Sequence, residues 1–243
     1  MRFLPLLGAM ALSGCVALIA QLDQKAKADI DATCEVRKTG CRFVNNPVVV
    51  DRDRARRIPT RQALFYPTVR QLDFVDGSGR IWVAHPGIVT DGASIPPIFV
   101  SIVGQPTSPE FVDAAAVHDA YAGVGNEGTP NYHNATWQDV HLMFYDALRV
   151  GGVPEIKAKI MFAAVWLGGP RWGEVQFNPK AQPAPAMRAA MRRTLGFIQS
   201  NNPSIPVLVR YLSSQEQAVA GAAAQVAGDR GGGDDGTGGP GNY

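Results

Sequence analysis

The stretch from Pro154 to Leu167 is apolar on almost every side of a helical wheel, with a proline in front and Gly168-Gly169-Pro170 behind. A helix with one apolar stripe rests on a surface, whereas one that is apolar all round must be enclosed by other elements. This segment therefore predicts a central helix and requires the rest of the chain to supply layers around it. Two further helices are predicted before it. Ser108-Pro109-Glu110 joins a capping serine, a proline at the first helical position and an early acid, and the helix it opens runs to about Ala122, ahead of a glycine-rich 123–128 loop. Asn134 or Thr136 caps the next, which ends near Gly151-Gly152.

Upstream, Val69–Phe74 and Arg80–Ala84 are short β-like runs around Asp76-Gly77-Ser78-Gly79, and this turn chemistry predicts a hairpin. It leads through His85-Pro86-Gly87 into a tight acidic turn, Thr90-Asp91-Gly92-Ala93-Ser94-Ile95-Pro96. Residues 51–61 carry Arg52, Arg54, Arg56, Arg57 and Arg61 beside Asp51 and Asp53, a charge run that reads as a solvated loop, with contact to anionic lipid headgroups or to peptidoglycan as the alternative. Beyond a linker at Gln182-Pro183-Ala184-Pro185 lie an Arg-bearing helix (187–199) and an Ala-rich segment (214–227). Residues 228–243, dominated by Gly and Asp, are expected to be disordered.

With 243 residues and 46% hydrophobic content, one sizeable domain with tails is the natural reading. The expected class is α+β: a small β-hairpin region packed on a helical core of three helices, with extra C-terminal helices and a disordered tail. A formal net charge of +2, with no basic segment beside an aromatic stacking surface, gives no case for a nucleic-acid partner.

The first twenty residues bear on compartment. Met1-Arg2 is a short basic region, Phe3 to Ala11 is apolar, and Leu12-Ser13-Gly14-Cys15 resembles a bacterial lipobox. That resemblance implies lipidation of Cys15 after removal of residues 1–14, a membrane partner reached through the acyl chains, and, with Val16 rather than Asp next, sorting to the outer membrane. An uncleaved membrane helix is the alternative: Phe3 to Ala20 is uncharged and at the lower limit for a span, though Pro5, Gly8, Ser13 and Gly14 interrupt it. Residues 15–50 then form a tether. In an exported protein Cys34 and Cys41 are expected to pair as a disulfide. The globular domain is expected over 51–180 and a helical extension over 181–227.

The chemistry-bearing residues lie in the helices. On the first, Phe111, Ala114, Ala115, His118 and Tyr121 or Ala122 share a face, with Asp119 about 100° around and at its edge. On the second, Trp137, His141, Phe144 and Leu148 share a face. Packed antiparallel, the two helices bring His118 and His141 together, and Asp91 joins them only if the acidic turn folds over the pair. Each residue also has a structural account: a core histidine held by a hydrogen bond, an Asx-turn at Asp91 with Ser94 as a cap, and Asp139 in a capping box with Thr136.

Residues 80–173 resemble the domain-of-unknown-function family numbered 1353, found in bacteria and tailed phages. The matching stretches are Val83–Pro96, the Ala114–Tyr121 helix, the Asp139–Gly152 helix and the Gly168–Trp172 end. That family's helix commonly has two residues between His-Asp and Tyr, where this chain has only Ala120, and its second helix usually carries Asp where this chain has His141. The resemblance brings no established activity.

Three functional classes remain open. A metal-assisted hydrolase acting on an envelope component would take a divalent ion on His118, His141 and Asp91 or Asp119, leaving a position for an activated water. His118-Asp119 with Tyr121 is also similar to the catalytic helix of secreted calcium-dependent phospholipases, which implies His118 as base and Asp119 as calcium ligand. In the third, non-enzymatic class, the cluster at Thr90, Asp91, Ser94, His118, Asp119 and Tyr121 is a buried network that fixes the loop on the helix pair. The chain is then an envelope scaffold or a phage-particle component with a protein partner.

Overall fold

The computed structural model describes Cys34 and residues 40–59, 61, 63–92, 95–103 and 109–231. Among the described residues six short strands come first: β1 (Arg42–Val44), β2 (Arg56–Arg57), β3 (Leu64–Pro67), β4 (Leu72–Val75), β5 (Ile81–Ala84) and β6 (Val89–Thr90). A 3-10 turn at Pro97–Phe99 leads into the helices α1 (Val100–Val103), α2 (Pro109–Ala122), α3 (Trp137–Val150), α4 (Glu155–Gly168), α5 (Ala184–Asn201) and α6 (Ile205–Gly231). The molecule is α+β.

The strands form two three-stranded antiparallel sheets, ordered β1-β4-β5 and β2-β3-β6. The predicted hairpin is β4–β5, in register from Leu72 opposite Ala84 to Val75 opposite Ile81. Its turn is built by Asp76, whose Oδ1 accepts from the Ser78 and Arg80 amides at 2.8 and 3.0 Å while Oδ2 accepts from Trp82 Nε1 at 2.8 Å. Alternation along the hairpin sends Leu72, Phe74, Trp82 and Ala84 into the core.

Helix α4 is central, as its composition requires. Met161, Phe162, Ala163, Ala164, Val165 and Leu167 are all buried, with α3 and α5 packed on it and α6 reaching it as well. Thr136 caps α3, its hydroxyl accepting from the Asp139 amide at 3.2 Å.

Four expectations need correction. Helix α2 is enclosed on all sides over residues 114–120, because the strands cover one side and α3 the other. Asp119, expected at the edge of the apolar face, is therefore only 5% exposed. The span expected to be a tether supplies β1, whose Phe43 packs on Phe74 with ring centroids 5.1 Å apart. The Arg-rich segment is not all loop, since Arg56–Arg57 pairs with β3. Finally, the C-terminal helices are longer than expected, and α6 continues through Gly231 into the start of the expected tail. They carry Met187, Met191, Ile198, Leu208, Leu212 and Val219 into the common core, which lengthens them by giving their apolar face a surface to cover.

Candidate functional site

The short strands and α3 hold α2 in place, and α2 and α3 meet through their histidines. His118, near the end of α2, places Nε2 3.0 Å from Nδ1 of His141, near the start of α3. His118 is 2% exposed and His141 is fully buried. Phe144 stands against His118 at 4.8 Å between centroids, and Trp137 meets His141 edge-on at 5.6 Å. Burial above all holds the His141 ring well below the usual imidazole range, with repulsion from His118 and from the Arg171 guanidinium acting the same way. The Pro170 carbonyl on the far side of the ring opposes this but is outweighed. Nε2 of His141 makes no hydrogen bond of full geometry, nor does Nδ1 of His118.

The tautomers of the two rings are linked, because a single proton lies between His118 Nε2 and His141 Nδ1. The Pro170 carbonyl favours a proton on His141 Nε2, with His118 Nε2 donating, whereas the Asp119 carboxylate favours a proton on His118 Nδ1, with His141 Nδ1 donating. Nδ1 of His118 faces Asp119, whose Oδ1 is 3.9 Å away. A polar line thus runs Asp119, His118, His141, Pro170 through an otherwise apolar interior.

The other expected site residues are placed as follows. Thr90 is buried in β6, and its Oγ1 accepts from the Gly92 amide at 3.0 Å. Gly92 adopts φ +74°, a left-handed conformation that suits glycine, and faces Val112 on α2, so the chain at Thr90–Gly92 lies against that helix. Asp91 is half-buried at the bend. Among the described residues, no group of three or more His, Cys, Asp or Glu side chains is arranged to hold a metal ion, so Asp91 is not brought into a ligand set with His118 and His141. Tyr121 serves the sheet instead: its hydroxyl accepts from the Val83 amide at 3.1 Å, on the free edge of β5, and burial pushes its phenol above the usual range. Cys34 and Cys41 are joined by a disulfide. Cys15 and Ser94 lie outside the described residues.

Three residues near the site were not anticipated. Asn126 is buried and exchanges two hydrogen bonds with the Val89 backbone, both 2.9 Å, while its Nδ2 also donates to the Asp119 carbonyl at 2.9 Å. The side-chain amide acts as one more peptide unit joining β6 to the end of α2, and only its place in a glycine-rich loop after a helix hinted at this. Gly169 sits so close to the pair that a Cβ there would lie 3.1 Å from His141 Nε2 and would collide with the Val165 carbonyl. Arg171 stacks over Trp137 at 4.1 Å, donates to the Trp166 carbonyl at 2.7 Å and pairs with Glu216 of α6 at 2.5 Å. The Gly168–Trp172 segment thus closes one side of the histidine pair rather than merely ending α4.

Residues 68–165 match the model of a family described as protein of unknown function (DUF1353). The matched span contains both histidines, Asp119 and Asn126, and ends before Gly169 and Arg171. A 100-residue stretch is 39% identical to the uncharacterized protein y4iH of Sinorhizobium fredii, covering 41% of this chain and 38% of that one. A 101-residue stretch is 37% identical to the uncharacterized protein y4jT of the same organism, covering 42% and 28% respectively. The chain therefore spans well under half the length of these curated relatives. No solved structure matches it significantly. Among the described residues, no helix is long and apolar enough to cross a membrane.

Proposed function

We propose that this chain is a lipid-anchored, non-enzymatic domain of a bacterial cell envelope, acting as a scaffold or as a component of a phage-related assembly. In this reading the His118–His141 pair is an internal fastener. The observation that carries it is the direct bond between the two rings, 3.0 Å long and closed off from solvent, which ties one nitrogen of each imidazole to the other ring. Support for the compartment comes from the lipobox-like Leu12-Ser13-Gly14-Cys15 and from the Cys34–Cys41 disulfide, which suits an exported protein. Labelling cells with radioactive palmitate tests the anchor: the wild type should take up label and Cys15→Ser should not. For the fastener, His118→Gln is expected to lower stability by about 1–3 kcal/mol, because a buried hydrogen bond is broken or bent. A melting temperature equal to the wild type's would count against it.

A second reading is a metal-assisted hydrolase acting on an envelope component, favoured by one feature. Nδ1 of His118 and Nε2 of His141 are buried without full hydrogen bonds, and such groups are costly unless a ligand or proton uses them. Elemental analysis of purified protein would decide for it by finding a divalent ion near one per chain that His118→Ala and His141→Ala both lose.

A further inference from the structure

The outer side of the α5–α6 pair plays no part in either reading of the histidine pair. The two helices run antiparallel, with Arg193 Nε donating to Gln215 Oε1 at 2.8 Å and the Phe197 and Tyr211 rings stacked at 4.0 Å along the seam. Both also pack on α4. On α5 the buried side chains are Met187, Ala190, Met191, Thr194 and Ile198, and Arg192 lies about 160° around the helix from both Ala190 and Thr194. On α6 Leu208 and Leu212 are buried, and Arg210 lies about 160° around from each. Arg192 and Arg210 therefore stand on the solvent sides of the two helices, with Arg193 between them at the seam, and all three are exposed. Arg188, one turn before Arg192 on the same stripe, is half-buried at the rim.

Among the described residues no carboxylate balances this face. Between Ala184 and Gln225 the only acid is Glu216, and it is turned inward to Arg171 at 2.5 Å. On α4, Glu155 is bonded to Lys159. The 3-10 turn and α1, which also touch α5, carry no charged residue. In the connection before α5 the exposed Glu174 is matched by the exposed Lys180. Past Val219, Asp229 is followed directly by Arg230. The residues interleaved with the arginines include the small Ala189 and Gly196 on α5 and Val207, 37% exposed, on α6.

Guanidinium groups gathered on one helical face, with no carboxylate to answer them, fit a phosphate-rich surface. Each planar fork takes two phosphate oxygens, and the small residues between them let a flat partner approach. A second copy of this chain is a poor occupant, since a two-fold contact sets the arginines against themselves. We propose that the outer face of the α5–α6 pair, through Arg188, Arg192, Arg193 and Arg210, docks the domain on an anionic phospholipid surface. This extends the lipid-anchor reading but does not depend on it. Acyl chains at Cys15 would hold the protein near any bilayer, while the arginines select anionic head groups and turn this face toward them.

The test is vesicle co-sedimentation of the full chain at low salt, using phosphatidylcholine alone and phosphatidylcholine with one-third phosphatidylglycerol. Wild type and Cys15→Ser are compared with the triple variant Arg188→Gln/Arg192→Gln/Arg210→Gln, in which Arg193 is kept because it braces Gln215. A second triple variant, Arg52→Gln/Arg56→Gln/Arg57→Gln, removes the same charge from exposed positions in and beside β2. Wild type and Cys15→Ser should bind the anionic vesicles more tightly, and about half-molar salt should abolish this preference. In the α5–α6 variant the preference should fall by on the order of a hundredfold, since each basic residue at such a surface contributes about fivefold. Its melting temperature should be unchanged, and the β2 variant should keep the preference. Equal binding of wild type to both vesicle types, an α5–α6 variant that keeps the preference, or an equal loss in both triple variants would overturn the docking face. If Cys15→Ser is retained on phosphatidylcholine as well as the wild type is, the anchor fails while the docking face stands.

Discussion

His141 is buried, neutral and bonded to another histidine, and each of these properties has a measurable consequence. Its folded-state value lies well below the 6.5 of a free imidazole, so the unfolded chain binds this proton first as the pH falls. The sign follows: stability from keeping His141 neutral is complete above pH 6.5 and is lost as pH drops below that value toward the folded-state one. The loss should reach about 1.4 kcal/mol per pH unit, and chemical denaturation of wild type and His141→Gln between pH 7.5 and 5 would show it as a slope that the variant lacks. Asn126 makes a second case at this scale. Asn126→Ala strands the Val89 amide and carbonyl in the interior, while the Asp119 carbonyl keeps only the Gly123 amide, so a loss of about 2–3 kcal/mol is expected in denaturant titration. That His118 and His141 face inward was legible from helical spacing. The role of Asn126 was not, because its partners are 37 residues away in β6 and 7 residues away in α2.

At the scale of elements, most of the pattern could be read locally. The hairpin about Asp76, the proline start of α2, the Thr136 cap and the Pro154 to Gly168 limits of α4 all depend on backbone chemistry within a few residues. Thr136→Ala should therefore cost about 1 kcal/mol, seen as a lower melting temperature with the histidine pair intact, because only the Asp139 amide loses its partner. The elements misread are those whose limits are set by contact. Helices α5 and α6, Arg-bearing and Ala-rich respectively, run over 184–201 and 205–231, and as far as Val219 their apolar faces pack into the common core. The short strands β1, β2 and β6 have two or three residues each, too few for any alternation to stand out. They exist because β3 and β4 offer backbone partners.

For the whole molecule, the question is what completes the core. Residues from α5 and α6 bury Met187, Met191, Leu208 and Leu212 against the same cluster as the family-matched segment, and Glu216 reaches back to Arg171 beside the histidines. A chain ending at Gln182 should therefore expose apolar surface, bind the dye ANS and lose a single cooperative unfolding transition; unchanged cooperative melting would show the extension to be dispensable. The sequence by itself determined the class of the fold, the central helix, the starts and stops of α2, α3 and α4, and the pairing of one histidine on each of two helices, since all of these rest on periodicity and on turn or cap chemistry. Only the tertiary structure decided that the pair is sealed from solvent, that Asp119 and Tyr121 are tied into the interior and the β5 edge, and that Gly169 and Arg171 close the site. Those outcomes depend on which surfaces cover one another, and burial is what turns the same imidazole from a reachable base into a neutral fastener.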